Sequence, residues 1–98
     1  MEKKTAHYRL ATVQALVKEG KVKTTVSAVK GAAELGIRRV GIIETVLELE
    51  SHAFYKSMTT HADHTLWQDV YHAKTPAGDV YLKLTVIDDV LIVSFKEL

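Results

Sequence analysis

Val80-Tyr81-Leu82-Lys83-Leu84-Thr85-Val86-Ile87 alternates apolar and polar side chains with the two-residue period of a β-strand that has one buried face. Val80, Leu82, Leu84 and Val86 form the apolar side; Tyr81, Lys83 and Thr85 point the other way. Asp88-Asp89 breaks the pattern, and Val90-Leu91-Ile92-Val93-Ser94-Phe95 supplies a second strand, so the pair reads as a hairpin. Upstream, Pro76-Ala77-Gly78-Asp79 has turn composition and follows a stretch from Trp67 to Thr75 rich in aromatic and branched residues. Two consecutive hairpins make a mostly antiparallel sheet. A further short strand is expected at residues 54–58, Phe54-Tyr55-Lys56-Ser57-Met58.

Ahead of residue 53 the period changes. Leu10, Val13, Leu16 and Val17 recur at helical spacing and stop at Gly20, which predicts an amphipathic helix near residues 7–19 with a glycine at its C-terminal end. Lys21-Val22-Lys23 is a short connector or strand. Thr24, Thr25 and Ser27 are N-cap candidates for a second helix carrying Val29, Ala32, Ala33 and Leu35 and ending at Gly36. A third helix is expected to turn Val40, Ile43, Val46 and Leu47 inward and to leave Glu44, Glu48 and Glu50 in solvent. Helices first and strands afterwards is the order of an α+β domain whose helices cover one face of the sheet, and residues 1–98 are read as one such domain.

Composition narrows the chemistry. With no cysteine there is no disulfide framework, thiolate metal site or cysteine nucleophile, which fits a reducing cytosol. The charged start Met1-Glu2-Lys3-Lys4 is not followed by an apolar run of signal-peptide or membrane-span length, so a cytoplasmic protein with no membrane partner is expected. The net charge is only +1, yet residues 1–39 hold nine Lys/Arg against three Glu, whereas residues 40–98 hold four against nine Asp/Glu. Such asymmetry permits phosphate binding without requiring it.

The polar side of the sheet is the place for a site. Tyr81 and Lys83 share one side of their strand, Gln68, Val70 and His72 share one side of theirs, and Lys56 follows Tyr55. Metal-free cleavage of RNA needs the 2′-hydroxyl deprotonated, the phosphorane charge stabilised and the leaving 5′-oxygen protonated, and lysine, amide and tyrosine side chains suit those tasks. Tyr55, Trp67 and Tyr71 could stack on unpaired bases, although Trp67 and Phe54 fit a core role better. Regular alternation sets Lys56 on the side of Phe54 and Met58, the side expected to face the core. His61 and His64 flank Asp63 in a polar stretch that fits a solvated loop better than a zinc site, and no HExxH is present. No metal and no cofactor is expected.

Phe54 to Thr60, Asp63 to Tyr71, Val80 to Lys83 and Asp89 to Glu97 together resemble the MqsR family, and Met1-Glu2-Lys3 and residues 18–25 extend the likeness over the whole chain. Residues 72–77 and Asp88 depart from the family's pattern. The resemblance implies a RelE-like α+β fold and a type II toxin that cuts single-stranded mRNA at GC-containing sites. It also implies neutralisation by an MqsA-type antitoxin with zinc-binding and helix-turn-helix domains, through which DNA would be engaged only indirectly. Position by position it sets the catalytic residues at Lys56, Gln68 and Tyr81, with Tyr55 and Met58 beside them as site neighbours; His72, which shares the parity of Gln68, and Lys83, on the polar side of its strand, are the further substrate-binding candidates. A non-catalytic module of the same fold, binding RNA or the antitoxin, is the alternative.

Overall fold

A computed structural model describes residues 1–98. The order is β1 (Glu2–Lys3), α1 (Leu10–Lys18), β2 (Val22–Thr24), α2 (Val26–Ala33), α3 (Arg39–Leu47), a 3₁₀ turn (Ser51–Ala53), then β3 (Phe54–Thr59), β4 (Trp67–Thr75), β5 (Gly78–Ile87) and β6 (Asp89–Glu97). The six strands form one sheet in the order β1-β3-β4-β5-β6-β2. All pairs are antiparallel except β2 on β6, so the expected α+β architecture with a mostly antiparallel sheet is what the chain adopts. No helix is long and apolar enough to cross a membrane.

The apolar sides of the strands and the helices meet in one cluster. Tyr71, Ala73, Val80, Leu82, Leu84, Val90, Ile92 and Phe95 come from the sheet; Val13, Val17, Ala28, Ala32, Ile42 and Val46 come from the helices. Val80, Leu82 and Leu84 are wholly buried, as the alternation of β5 requires. Thr25 caps α2 by accepting from the Ala28 N–H at 3.0 Å, and its hydroxyl donates to the Val93 carbonyl at 2.8 Å. Val93 is the extra residue where the β5–β6 register shifts between Lys83 and Leu84, so one side chain both starts the helix and pins it to the sheet. The β5–β6 turn is set by Asp88, whose φ of 64° lies in the left-handed region that aspartate tolerates better than most residues.

Helix phases differ from the expectation in two places. Val29 is 42% exposed because α2 lays its small residues, Ala28, Gly31 and Ala32, against β6: a Cβ on Gly31 would stand 2.0 Å from the Phe95 carbonyl oxygen. Val40 is 55% exposed, and α3 buries Ile42, Thr45 and Val46 instead. Apolar residues lie all round this helix, so the sequence offers two stripes. The chosen one contains a threonine, made tolerable there by its hydroxyl donating to the Gly41 carbonyl at 2.7 Å.

The N-terminal segment is fastened across the sheet. The buried Asp69 carboxylate accepts the His7 and Tyr8 N–H groups at 3.1 and 2.9 Å, and the Tyr8 hydroxyl lies 3.0 Å from both the Trp67 carbonyl and Thr85 Oγ1. Trp67 is thereby drawn out of the main cluster: its ring stacks on His7 at 5.4 Å, with Lys3 4.2 Å from the ring centroid. These contacts deliver Glu2 and Lys3 to the edge of β3 as β1, in register with Met58 and Ser57.

Candidate functional site

Directly paired residues on neighbouring strands share a face, so the registers build the site row by row. Met58 pairs with Gln68 in one row. In the next, Lys56 pairs with Val70, Val70 with Lys83 and Lys83 with Ser94. In a third, His72 pairs with Tyr81 and Tyr81 with Lys96. Val70 is fully buried yet stands apart from the main core, because it floors this face between Lys56 and Lys83. The structure thus brings Lys56, Met58, Gln68, His72, Tyr81 and Lys83 onto one face of the sheet, opposite the helices.

Lys56 reaches this face through a correction to the expected alternation. Phe54 pairs with Tyr71 while Lys56 pairs with Val70, so Tyr55 is an extra residue and the strand carries a β-bulge. Lys56 keeps company with Met58, as expected, but not with Phe54, whose ring meets core Tyr71 edge-on at 5.6 Å. The bulge turns Tyr55 onto the site side too, where it stacks on His72 at 4.2 Å with an interplanar angle of 21°.

The electrostatics are dominated by lysines. Lys96 Nζ is 5.2 Å from the Tyr81 ring centroid, Lys56 Nζ is 5.5 Å from the Tyr55 ring, and Lys4 approaches Tyr55 at 5.1 Å. Burial, with the Lys96 and Lys56 ammonium groups adding repulsion, holds Lys83 below the ordinary lysine value. The Lys56 side chain is only 18% exposed, and its ammonium pairs with the Glu2 carboxylate at 3.0 Å, which raises the lysine and lowers the glutamate. A face carrying several ammonium groups, phenols and one amide can bind a polyanion, stack bases and donate protons to phosphate oxygens.

Beside this face a cleft of about 550 Å³ runs between α3, the 3₁₀ turn and β4, and its walls include Glu48, Glu50, His52, Tyr55, His72 and Lys74. His61 and His64 lie in the β3–β4 loop, away from any cluster of three or more metal-ligating side chains. Asp63 there accepts the Thr65 N–H and hydroxyl, which holds its carboxyl below the usual value.

Two residues of the face fell outside the sequence reading. Lys96 lies beyond the strand expected at residues 90–95, which in fact continues to Glu97. Glu2 sits in a two-residue strand too short to show any period.

The fold and this face define an α+β protein with a cationic, aromatic surface fit for nucleic acid. Residues 5–97 match the family described as motility quorum-sensing regulator, toxin of MqsA, and the chain belongs to that family. It is 56% identical over 97 residues to the mRNA interferase toxin MqsR of Escherichia coli strain K12, covering 99% of both chains.

Proposed function

We infer that the chain is a toxin of a type II toxin-antitoxin pair and an endoribonuclease, cutting single-stranded mRNA at GC-containing sites without a metal ion. The observation that carries this reading is the gathering of Lys56, Gln68 and Tyr81 on one open sheet face in a chain 56% identical, end to end, to an mRNA interferase toxin. In this scheme Lys56 neutralises charge growing on the phosphorane, Gln68 orients the substrate, and Tyr81 contacts the phosphate and transfers a proton. The floor of Val70 and the packed strands hold these groups in place before substrate arrives, and preorganisation of this kind supplies much of the rate. Tyr55, Met58, His72 and Lys83 line the path of the flanking nucleotides. The 2′-oxygen is the nucleophile, so the products are a 2′,3′-cyclic phosphate and a 5′-hydroxyl. A RelE-like ancestry is compatible with this arrangement, and an MqsA-type antitoxin is the partner that silences it.

The test is to incubate the purified chain with a single-stranded RNA containing one GC step, in EDTA, beside Lys56→Ala and Tyr81→Phe, and to map the ends. Cutting at that step by the parent, with rates at least 100-fold lower in the variants, is the expected result. Intact RNA that still binds the parent would move the assignment to a non-catalytic RNA-binding module.

A further inference from the structure

In-line attack of the 2′-oxygen on phosphorus needs a base on the nucleophile's side and an acid on the leaving group's side, with positive charge between them. Across this sheet face the strands run β1, β3, β4, β5, which sets Glu2, Lys56 and Tyr81 in that order. Glu2 touches Lys56 at 3.0 Å, and its carboxylate makes no other side-chain hydrogen bond or ion pair. The other carboxylate of this part of the sheet, Asp69, is buried and committed to the His7 and Tyr8 N–H groups.

We propose that Glu2 is the general base of the site, taking the 2′-hydroxyl proton while Lys56 neutralises the phosphorane. This rests on the endoribonuclease reading above. The 2′-oxygen lone pair forms the new bond to phosphorus, and its proton passes to the Glu2 carboxylate. The bond to the 5′-oxygen breaks with its electron pair on that oxygen, which takes a proton from the Tyr81 phenol. Water then removes the proton from Glu2 and restores the one on Tyr81, so no proton is gained or lost overall.

The groups facing Glu2 are cationic: Lys56 from β3, and Lys4 and the N-terminal ammonium from its own strand's ends. They keep it ionised near neutral pH, whereas Lys56, with its raised value, stays protonated and cannot serve as base. The Glu2 side chain is 54% exposed, so a ribose hydroxyl can approach its carboxylate without rearrangement of the core.

The experiment compares the full-length parent, Glu2→Gln and Glu2→Asp on a single-stranded RNA with one GC step, with folding checked by circular dichroism. The expected result is a kcat for Glu2→Gln lowered on the order of 10²–10⁴-fold, with KM within about threefold of the parent. Its log kcat should then climb with a slope near one between about pH 6 and 9, because hydroxide must replace the lost base. Glu2→Asp, which keeps a carboxylate, should be intermediate and follow the parent's profile. A lost partner for Lys56 alone would lower the rate without changing the shape of that profile, and this outcome overturns the proposal. So does a Glu2→Gln variant that matches or exceeds the parent, which would make Glu2 a competitor of the substrate phosphate. If the parent cuts and Lys56→Ala and Tyr81→Phe do not, the endoribonuclease reading stands whatever Glu2→Gln does; a parent that leaves RNA intact removes both.

Discussion

Phe54 and Lys56, two positions apart on β3, face opposite sides of the sheet, because the bulge at Tyr55 inserts one residue between the pairs Phe54–Tyr71 and Lys56–Val70. In a bulge-free strand the same residues would place Lys56 on the side of Phe54, and an ammonium group would enter the apolar layer under the helices, where burying an unpaired charge costs several kcal/mol. The bulge therefore does two things: it keeps Phe54 on the core and presents Tyr55 and Lys56 together to the open face.

Deleting Tyr55 and truncating it should have similar consequences. Tyr55→Ala removes a ring that stacks on His72 but keeps the extra backbone residue, and a loss of RNA cleavage of about tenfold is expected, in line with one stacked base contact of 1–3 kcal/mol. Deletion of the residue makes Phe54 and Lys56 neighbours that keep their pairings with Tyr71 and Val70, and so their opposite faces, and a loss of similar size is expected. Steady-state cleavage assays on the two variants check this, and a far larger loss on deletion would show that the bulged backbone itself aims Lys56.

Lys83 tests the electrostatics of the face. Burial first, then repulsion from Lys96 and Lys56, lowers its pKa, so its charge disappears as pH rises through a value below the ordinary lysine range. Because the lowered value belongs to the folded state, this residue's contribution to stability grows as pH climbs from there towards the unfolded value. A titration of the lysine Cε–Nζ resonances should place Lys83 below free lysine. Lys96→Gln should move it upward by removing one repelling cation, and bound RNA should do the same through its phosphates. A Lys83 resonance indifferent to both changes would contradict the shared-field picture.

What the sequence could reveal follows from what generates periodicity. β5 alternates because one face is buried along it, and the strand expected at residues 67–75 is the observed β4. Thr25 was among the proposed N-caps, and Gly20 and Gly36 stand after α1 and α2 with φ of 81° and 73°. Regular alternation cannot foresee a bulge, so it sets Lys56 and Met58 on the core side with Phe54, although Gln68, His72, Tyr81 and Lys83 have the right parity. Tertiary choices were illegible too: α3 had two apolar stripes to choose from, and Trp67 left the core for a slot between His7 and Lys3 that only the N-terminal segment creates. The base-side partner of Lys56 came from that same segment, 54 residues away in sequence.

Tyr71 predicts an alkaline limit to stability. Burial, with the Asp69 carboxylate adding to it, pushes its phenol up to about 12. A phenol raised in the folded state stabilises fully below its unfolded value near 10 and loses that contribution as pH climbs through the folded one. Urea unfolding between about pH 10 and 12 should therefore show the parent losing stability faster than Tyr71→Phe, by on the order of 2–3 kcal/mol at the top of the range. Parallel pH curves for the two proteins would mean that the phenol ionises without leaving its buried position.

Gly31 and Gly41 both sit inside helices, where alanine is favoured over glycine by about 1 kcal/mol, yet the two alanine variants should differ in the size of their effect. At Gly31 the new methyl would lie 2.0 Å from the Phe95 carbonyl oxygen. That oxygen belongs to the backbone of β6 and can retreat only by moving α2 off the sheet, so overpacking should outweigh the helical gain and cost a net of about 2 kcal/mol or more. At Gly41 the methyl would meet Ile37 Cγ2 at 2.7 Å, a side-chain terminus that can rotate away, and stability should stay within about 1 kcal/mol of the parent. Denaturant midpoints for the two variants decide the matter: a Gly31→Ala protein as stable as the parent would show that α2 does not rest on β6 through its backbone, and Thr25, which caps that helix and bonds to Val93, would then have to hold it in place alone.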